Sequence, residues 1–238
     1  MTTRIKAVLF DKDGTLIDFQ RTWGPTFYTL IAELADGDDG IMGRLAEVSG
    51  YYLHEQRFAP DSIMVAGSND DVADAYAQIL GLTDPAELAA DINARIGDMS
   101  LPHITPFDDL MPVLDALSAL GLALGIATND AEASARAQLS ALGIDARFTQ
   151  ILGFDSGYGA KPDPGMILGF CREAKLEPRD VVMVGDSLHD LHAGRAAGVR
   201  TLGVTTGTVG HEVLTPHANH VAASLTQALD WITANAAA

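Results

Sequence analysis

The apolar run Ile5-Lys6-Ala7-Val8-Leu9-Phe10 stops abruptly at Asp11-Lys12-Asp13-Gly14-Thr15. The run is short, rich in β formers and closed by a turn signal, which predicts a buried strand. Two carboxylates one residue apart at the end of such a strand are costly unless a partner or counter-ion holds them. The pattern recurs: Val181-Val182-Met183-Val184 is a second apolar run, and it ends in Gly185-Asp186-Ser187-Leu188-His189-Asp190. Two strands thus deliver acids to their carboxyl ends, where open α/β sheets carry their chemistry.

Between these strands the period changes. After Asp18, apolar residues fall at helical spacing: Phe27, Leu30, Ile31 and Leu34; Ile41, Leu45, Val48 and Tyr52; Val72, Tyr76 and Ile79; Leu88, Ile92 and Ile96. Gly37, Gly40, Pro60, Gly67, Gly81, Pro85 and Gly97 punctuate them. Four amphipathic helices with no intervening strand predict an all-α four-helix insert over residues 19–101. From about Pro102, strands and helices alternate. Strands are expected at 122–127, 150–153, 181–184 and 201–204; helices are expected at 107–120, 131–142, 165–175, 188–197 and 225–234. Such alternation implies an α/β fold, a Rossmann-like, doubly wound parallel sheet with helices on both faces. Its domain would comprise residues 1–18 and 102–238, with the first strand in the same sheet.

Composition narrows the partners. The 238 residues carry a net charge of −17, which argues against nucleic acid or an anionic membrane, since both require a basic face. No run of apolar residues is long enough for a membrane span. The start, Met1-Thr2-Thr3-Arg4, leaves no room for a signal peptide before the first strand, and the single cysteine, Cys171, rules out an internal disulfide. A cytoplasmic protein, monomeric or homodimeric, is the expectation, with Cys171 as core filler.

Four carboxylates, Asp11, Asp13, Asp186 and Asp190, cannot all stay ionised together without positive charge. Two like charges about 4 Å apart repel by roughly 4 kcal/mol at an effective dielectric of about 20. A hard divalent cation with oxygen ligands, Mg²⁺ first among them, answers the need, and Lys161 in Gly159-Ala160-Lys161-Pro162 adds a further charge. A calcium loop fails, because Gly14 comes too early and Thr22 stands where the bidentate glutamate belongs. A carboxylate beside Mg²⁺ can attack phosphorus while a second carboxyl group protonates the leaving oxygen and later activates water.

These residues resemble the four motifs of the haloacid dehalogenase (HAD) superfamily, in its phosphoglycolate phosphatase-like branch. The motifs are Asp11-Lys12-Asp13-Gly14-Thr15, Thr128-Asn129 behind Gly125-Ile126-Ala127, Lys161, and Gly185-Asp186-Ser187-Leu188-His189-Asp190. The resemblance implies a Mg²⁺-dependent phosphatase acting on a small phosphate monoester. Asp11 would be the nucleophile that forms an aspartyl-phosphate, and Asp13 the acid and base. Asp11, the Asp13 backbone carbonyl and Asp186 would hold Mg²⁺. Thr128, the backbone at Asn129 and Lys161 would hold the phosphoryl oxygens, and Asp190 would orient Lys161 or a metal-held water. Lys12 replaces an apolar residue often seen between the two acids and is expected to point away from the metal.

The insert then resembles that superfamily's α-helical cap, with Arg21, Trp23 and Arg57, and also His54 and Phe58, as candidate substrate contacts. Each has a plainer reading as bundle surface or packing. Thr128-Asn129-Asp130 can also cap a following helix, a role that can coexist with phosphate contact, and His189 and His192 read as satisfied or solvent-facing. Between Asp18 and Pro106 there is no lysine, which argues against a Schiff-base cap chemistry. A sugar-phosphate mutase of the same core, or a non-catalytic binding module that kept the fold, are the alternatives.

Overall fold

The computed structural model describes residues 4–59, 62–66 and 69–236; Met1, Thr2, Thr3, Pro60, Asp61, Gly67, Ser68, Ala237 and Ala238 lie outside the described residues. In chain order the elements begin with β1 (Ala7–Phe10), α1 (Phe19–Ala35), α2 (Asp39–Val48), β2 (Tyr51–Tyr52) and β3 (Arg57–Phe58). Next come α3 (Ile63–Ala66), α4 (Asn69–Leu80), α5 (Pro85–Ser100), α6 (Leu110–Ala119), β4 (Ala123–Ala127) and α7 (Glu132–Ala141). The chain continues through β5 (Gln150–Leu152), α8 (Gly165–Ala174), β6 (Val181–Gly185), α9 (Leu188–Ala197) and β7 (Arg200–Val204). It ends in α10 (His211–Leu214), β8 (His220–Ala222) and α11 (Leu225–Ala236). Two compact units result: Met1–Asp18 with Pro106–Ala238, and Phe19–Thr105.

The first unit is built on a parallel sheet of six strands in the order β5-β4-β1-β6-β7-β8. The chain moves outward from β1 to β4 and β5 on one side, and to β6, β7 and β8 on the other. The order therefore reverses beside β1, the point at which such sheets open a crevice at their carboxyl ends. Register fixes what lies there. Phe10 is level with Ile126 of β4 and Val184 of β6, so Asp11 emerges level with Ala127 and Gly185. Thr128 and Asp186 follow one residue on.

Both faces of β1 are buried, as its unbroken apolar run requires. Ala7 and Leu9 pack with Met166, Ile167 and Phe170 of α8 and Ala193 and Ala197 of α9. Cys171 sits in the same cluster, as core filler. β8 is a strand that the sequence reading lacks: it is three residues long at the sheet edge, too short for alternation to register.

The second unit is helical. Phe27, Leu30 and Ile31 of α1, Leu45 of α2, Val72 and Tyr76 of α4, and Leu88, Ile92 and Ile96 of α5 share one core. Its four long helices run where the spacing predicts; the short α3 is a fifth that the spacing does not mark, and two further corrections apply. Tyr52 belongs to a β2–β3 ladder rather than to a helix; Phe58 anchors that ladder against Phe19, Phe27 and Tyr51. The unit also continues to Thr105 instead of 101, because Leu101–His103 form a 3₁₀ turn after α5 and the Thr105 N–H donates to Thr22 Oγ1 at 3.0 Å.

Candidate active site

Asp11 leaves the end of β1 with its N–H bonded to the Val184 carbonyl at 2.8 Å. The chain then folds back on itself: the Lys12 carbonyl accepts N–H bonds from Thr15, Leu16 and Ile17. Gly14 makes this turn at φ +79°, and a Cβ there would stand 2.5 Å from Asp186 Oδ2. Only glycine meets both demands.

Four side chains from three separate segments converge here. Lys161 Nζ lies 2.6 Å from Asp11 Oδ1 and 2.6 Å from Asp190 Oδ1. Asp11, Asp186 and Asp190 each place a carboxylate oxygen within 4.8 Å of the others. All four residues are buried. Burial raises the Asp11 carboxyl to about 7 despite Lys161, with Asp190 and Asp13 adding to the rise. Burial, then Asp11 and Asp190, push Asp186 well above the carboxylate range. Lys161 runs the other way: its two carboxylates outweigh burial and hold the ammonium above its ordinary value.

Asp190 is set by the start of α9. Ser187 caps that helix, its Oγ accepting from the Asp190 N–H and donating to Asp190 Oδ2 at 2.7 Å, while its N–H donates to the same oxygen. Lys161 is set by Asn129. The Asn129 amide donates to the Lys161 carbonyl at 2.9 Å and accepts the Lys161 N–H at 2.8 Å. The Asn129 side chain is thus committed to the lysine's backbone, a contact the sequence reading did not contain. Thr128 is buried, its N–H bonded to the Leu152 carbonyl, and its Oγ1 accepts the Asp130 N–H.

Asp186 distinguishes the site. Among the described residues it has no ion-pair partner; the Thr15 hydroxyl donates to its Oδ1 at 3.3 Å. Asp186 and two neighbouring acids share one lysine, so the pocket holds an excess of negative charge. At about 4.8 Å each added pair of charges costs on the order of 3–4 kcal/mol at an effective dielectric of about 20. An all-oxygen donor set with a charge deficit fits a hard divalent cation.

The sequence reading missed two other features. In the loop after β7, Thr206 Oγ1 donates to the Gly14 carbonyl at 2.6 Å, and a Cβ on Gly207 would stand 1.6 Å from Asp186 Oδ2, so any side chain there would displace that carboxylate. No periodicity marks either residue. Lys12 is fully buried and ion-paired with the Asp13 and Asp130 carboxylates. Burial alone would depress its ammonium, but Asp13 and Asp130 raise it above its ordinary value.

The candidate substrate contacts lie in the helical unit. Trp23 is 9% exposed and belongs to that unit's core; Phe58 is buried there as well. Arg57 is paired with Glu55 and lies over the Tyr52 ring at 5.1 Å. Arg21 and His54 are exposed, as are His189 and His192 of α9, the latter beside His217.

The carboxylates of Asp11, Asp186 and Asp190 thus gather around Lys161 at the carboxyl end of a parallel sheet, where its strand order reverses. The haloacid dehalogenase-like hydrolases match residues 5–198, and the chain belongs to that family. It is 29% identical over 209 residues to the N-acetylmuramic acid 6-phosphate phosphatase of Pseudomonas aeruginosa, covering 88% of this chain and 85% of that one. It is 30% identical over 204 residues to the phosphoglycolate phosphatase of Rhodospirillum rubrum, covering 85% and 80%. A HAD-superfamily hydrolase from Geobacter sulfurreducens has the same fold, at TM-score 0.64, 21% identity and 96% coverage of both chains. Among the described residues no helix is long and apolar enough to cross a membrane.

Proposed function

We propose that this HAD-like phosphatase hydrolyses a small phosphate monoester with Mg²⁺, by way of an aspartyl-phosphate on Asp11. The observation that carries the reading is the junction of Asp11 with Lys161 at 2.6 Å and with Asp186 inside one buried acid cluster. Asp11, the Asp13 carbonyl and Asp186 would hold the ion. When bound, Mg²⁺ supplies the positive charge that offsets repulsion between the Asp11 carboxylate and a phosphate dianion.

An Asp11 carboxylate oxygen attacks phosphorus, and the bond from phosphorus to the leaving oxygen breaks. Asp13 gives its proton to that oxygen, so the product departs as an alcohol. Lys161 and the Thr128–Asn129 segment hold the phosphoryl oxygens, and Asp190 keeps Lys161 in place. Asp13 then takes a proton from water, which attacks the same phosphorus. Inorganic phosphate leaves and Asp11 is restored.

The helical unit, residues 19–101 by spacing and Phe19–Thr105 by compactness, is proposed as the cap that selects the leaving group. Phosphoglycolate and N-acetylmuramic acid 6-phosphate each carry a carboxylate as well as the phosphate, and the two relatives' names make them the first substrates to try. Arg21 is exposed, follows the Asp11 turn closely in sequence and is the first cap residue to replace; Trp23 and Arg57 follow it.

Purified protein with Mg²⁺ is expected to release phosphate from p-nitrophenyl phosphate, to stop in excess EDTA, and to lose at least about 10³-fold in kcat as Asp11→Asn. Undiminished turnover in Asp11→Asn sinks the mechanism. A panel of phosphorylated metabolites, read by phosphate release and by product isomer, then separates hydrolysis from mutase activity.

A further inference from the structure

Lys12 is the buried cation that the mechanism above leaves unused. Its side chain has no solvent exposure, and both its carboxylate partners, Asp13 and Asp130, are about one-fifth exposed. Stability alone does not account for it. An apolar side chain of similar volume in place of a buried ion pair is often neutral or stabilising, whereas an ammonium out of water costs several kcal/mol before its partners offset it.

Both ends of the lysine are tethered. Its carbonyl anchors the turn through Thr15, Leu16 and Ile17. Its ammonium reaches Asp130 Oδ2 at 3.4 Å, and Asp130 is itself held by three hydrogen bonds. Asp130 Oδ1 accepts the Ala131 N–H at 2.8 Å, Oδ2 accepts the Ser134 hydroxyl at 2.9 Å, and its N–H donates to Thr128 Oγ1 at 3.1 Å. A fixed carboxylate behind β4 therefore holds the ammonium, and the ammonium holds Asp13 Oδ2.

We infer that Lys12 is a positioning residue which, braced on Asp130, orients the Asp13 carboxyl for proton transfer to the leaving oxygen. The inference rests on the proposed role of Asp13 as acid. It separates Lys12 from Lys161: one lysine serves the nucleophile, the other the proton donor.

A positioning role has a signature that loss of fold or of phosphate binding does not share. 2,4-Dinitrophenolate leaves without a proton, whereas phenolate needs one, and kcat/KM reports the step that transfers phosphorus to Asp11. The experiment measures kcat/KM for both aryl phosphates with Mg²⁺ in wild type, Lys12→Met, Asp130→Asn, Asp13→Asn and Asp11→Asn. Lys12→Met is expected to raise the dinitrophenyl-to-phenyl ratio at least about tenfold, within the 10²–10⁴-fold range of general acid catalysis that Asp13→Asn bounds. Asp130→Asn is expected to raise it by less.

Equal losses on both substrates in Lys12→Met, or an unchanged ratio, overturn the inference. If Lys12→Met does not fold, as judged by its thermal unfolding, Asp130→Asn decides by the same ratio. An unchanged ratio in Asp13→Asn removes the acid and the inference with it. Persistent turnover in Asp11→Asn overturns instead the phosphatase mechanism on which both stand.

Discussion

Lys161 is the cation on which two buried carboxylates depend. Replacing it with methionine leaves Asp11 and Asp190 close together with no counter-charge. Removing one partner of a buried ion pair costs about 3–5 kcal/mol, so Lys161→Met is expected to lower stability by that amount in EDTA, measured by urea unfolding. Mg²⁺ is expected to recover part of the loss, since it brings charge to the same oxygens. Cys171 illustrates the opposite case, a titratable group the site does not use. Burial raises its thiol to about 11. A raised thiol stays protonated where an ordinary one has begun to ionise, so at pH 8 only about one thiol in 10³ is thiolate. Native protein is therefore expected to react with a disulfide reagent at least tenfold more slowly than urea-unfolded protein, and to speed up as pH approaches 11.

At the scale of elements, β1 does the positioning. It lies between β4 and β6, so one strand end presents Asp11 to the loops that carry Thr128 and Asp186. Close packing behind it is unforgiving. A Cβ on Gly125 of β4 would collide with the Phe170 ring of α8 and stand 2.9 Å from Leu9 Cδ1. Overpacking of this kind costs about 1–3 kcal/mol, so Gly125→Ala is expected to lower the midpoint of denaturation while leaving the acid cluster intact. The start of α9 couples stability to geometry. Ser187 both caps the helix and binds Asp190. Ser187→Ala is expected to cost about 0.5–2 kcal/mol as a lost cap and to lower turnover as well, because Asp190 loses the contact that aims it at Lys161.

For the molecule as a whole, an ion that binds the folded chain alone stabilises it by mass action, about 2.7 kcal/mol at one hundred times its dissociation constant. A rise in melting temperature with Mg²⁺ is expected in wild type and not in Asp186→Asn, measured by calorimetry; equal rises in both would place the ion elsewhere. Much of this site was legible early, because buried runs that end in acids advertise themselves: Asp11 and Asp186 follow Val8-Leu9-Phe10 and Met183-Val184 directly. Lys161 was legible through its motif. Lys12 was not, since a lysine beside two aspartates in sequence carries no mark of what its side chain will meet after folding. Gly207 and Thr206 were hidden for the same reason, their partners lying about 20 residues away at Asp186 and about 190 away at Gly14.

Local sequence pattern dictated most of the segments that became strand or helix, β2, β3 and β8 excepted, that the strands of the large sheet would run parallel, and that carboxylates would follow β1 and β6. The order β5-β4-β1-β6-β7-β8, the brace from Asp130 through Lys12 to Asp13, and the grip of Asn129 on Lys161 came only with tertiary structure. The physical reason is range. Secondary structure answers to neighbours a few residues away, whereas strand order and the pairing of buried charges are decided by contacts between residues that meet only after the chain has folded.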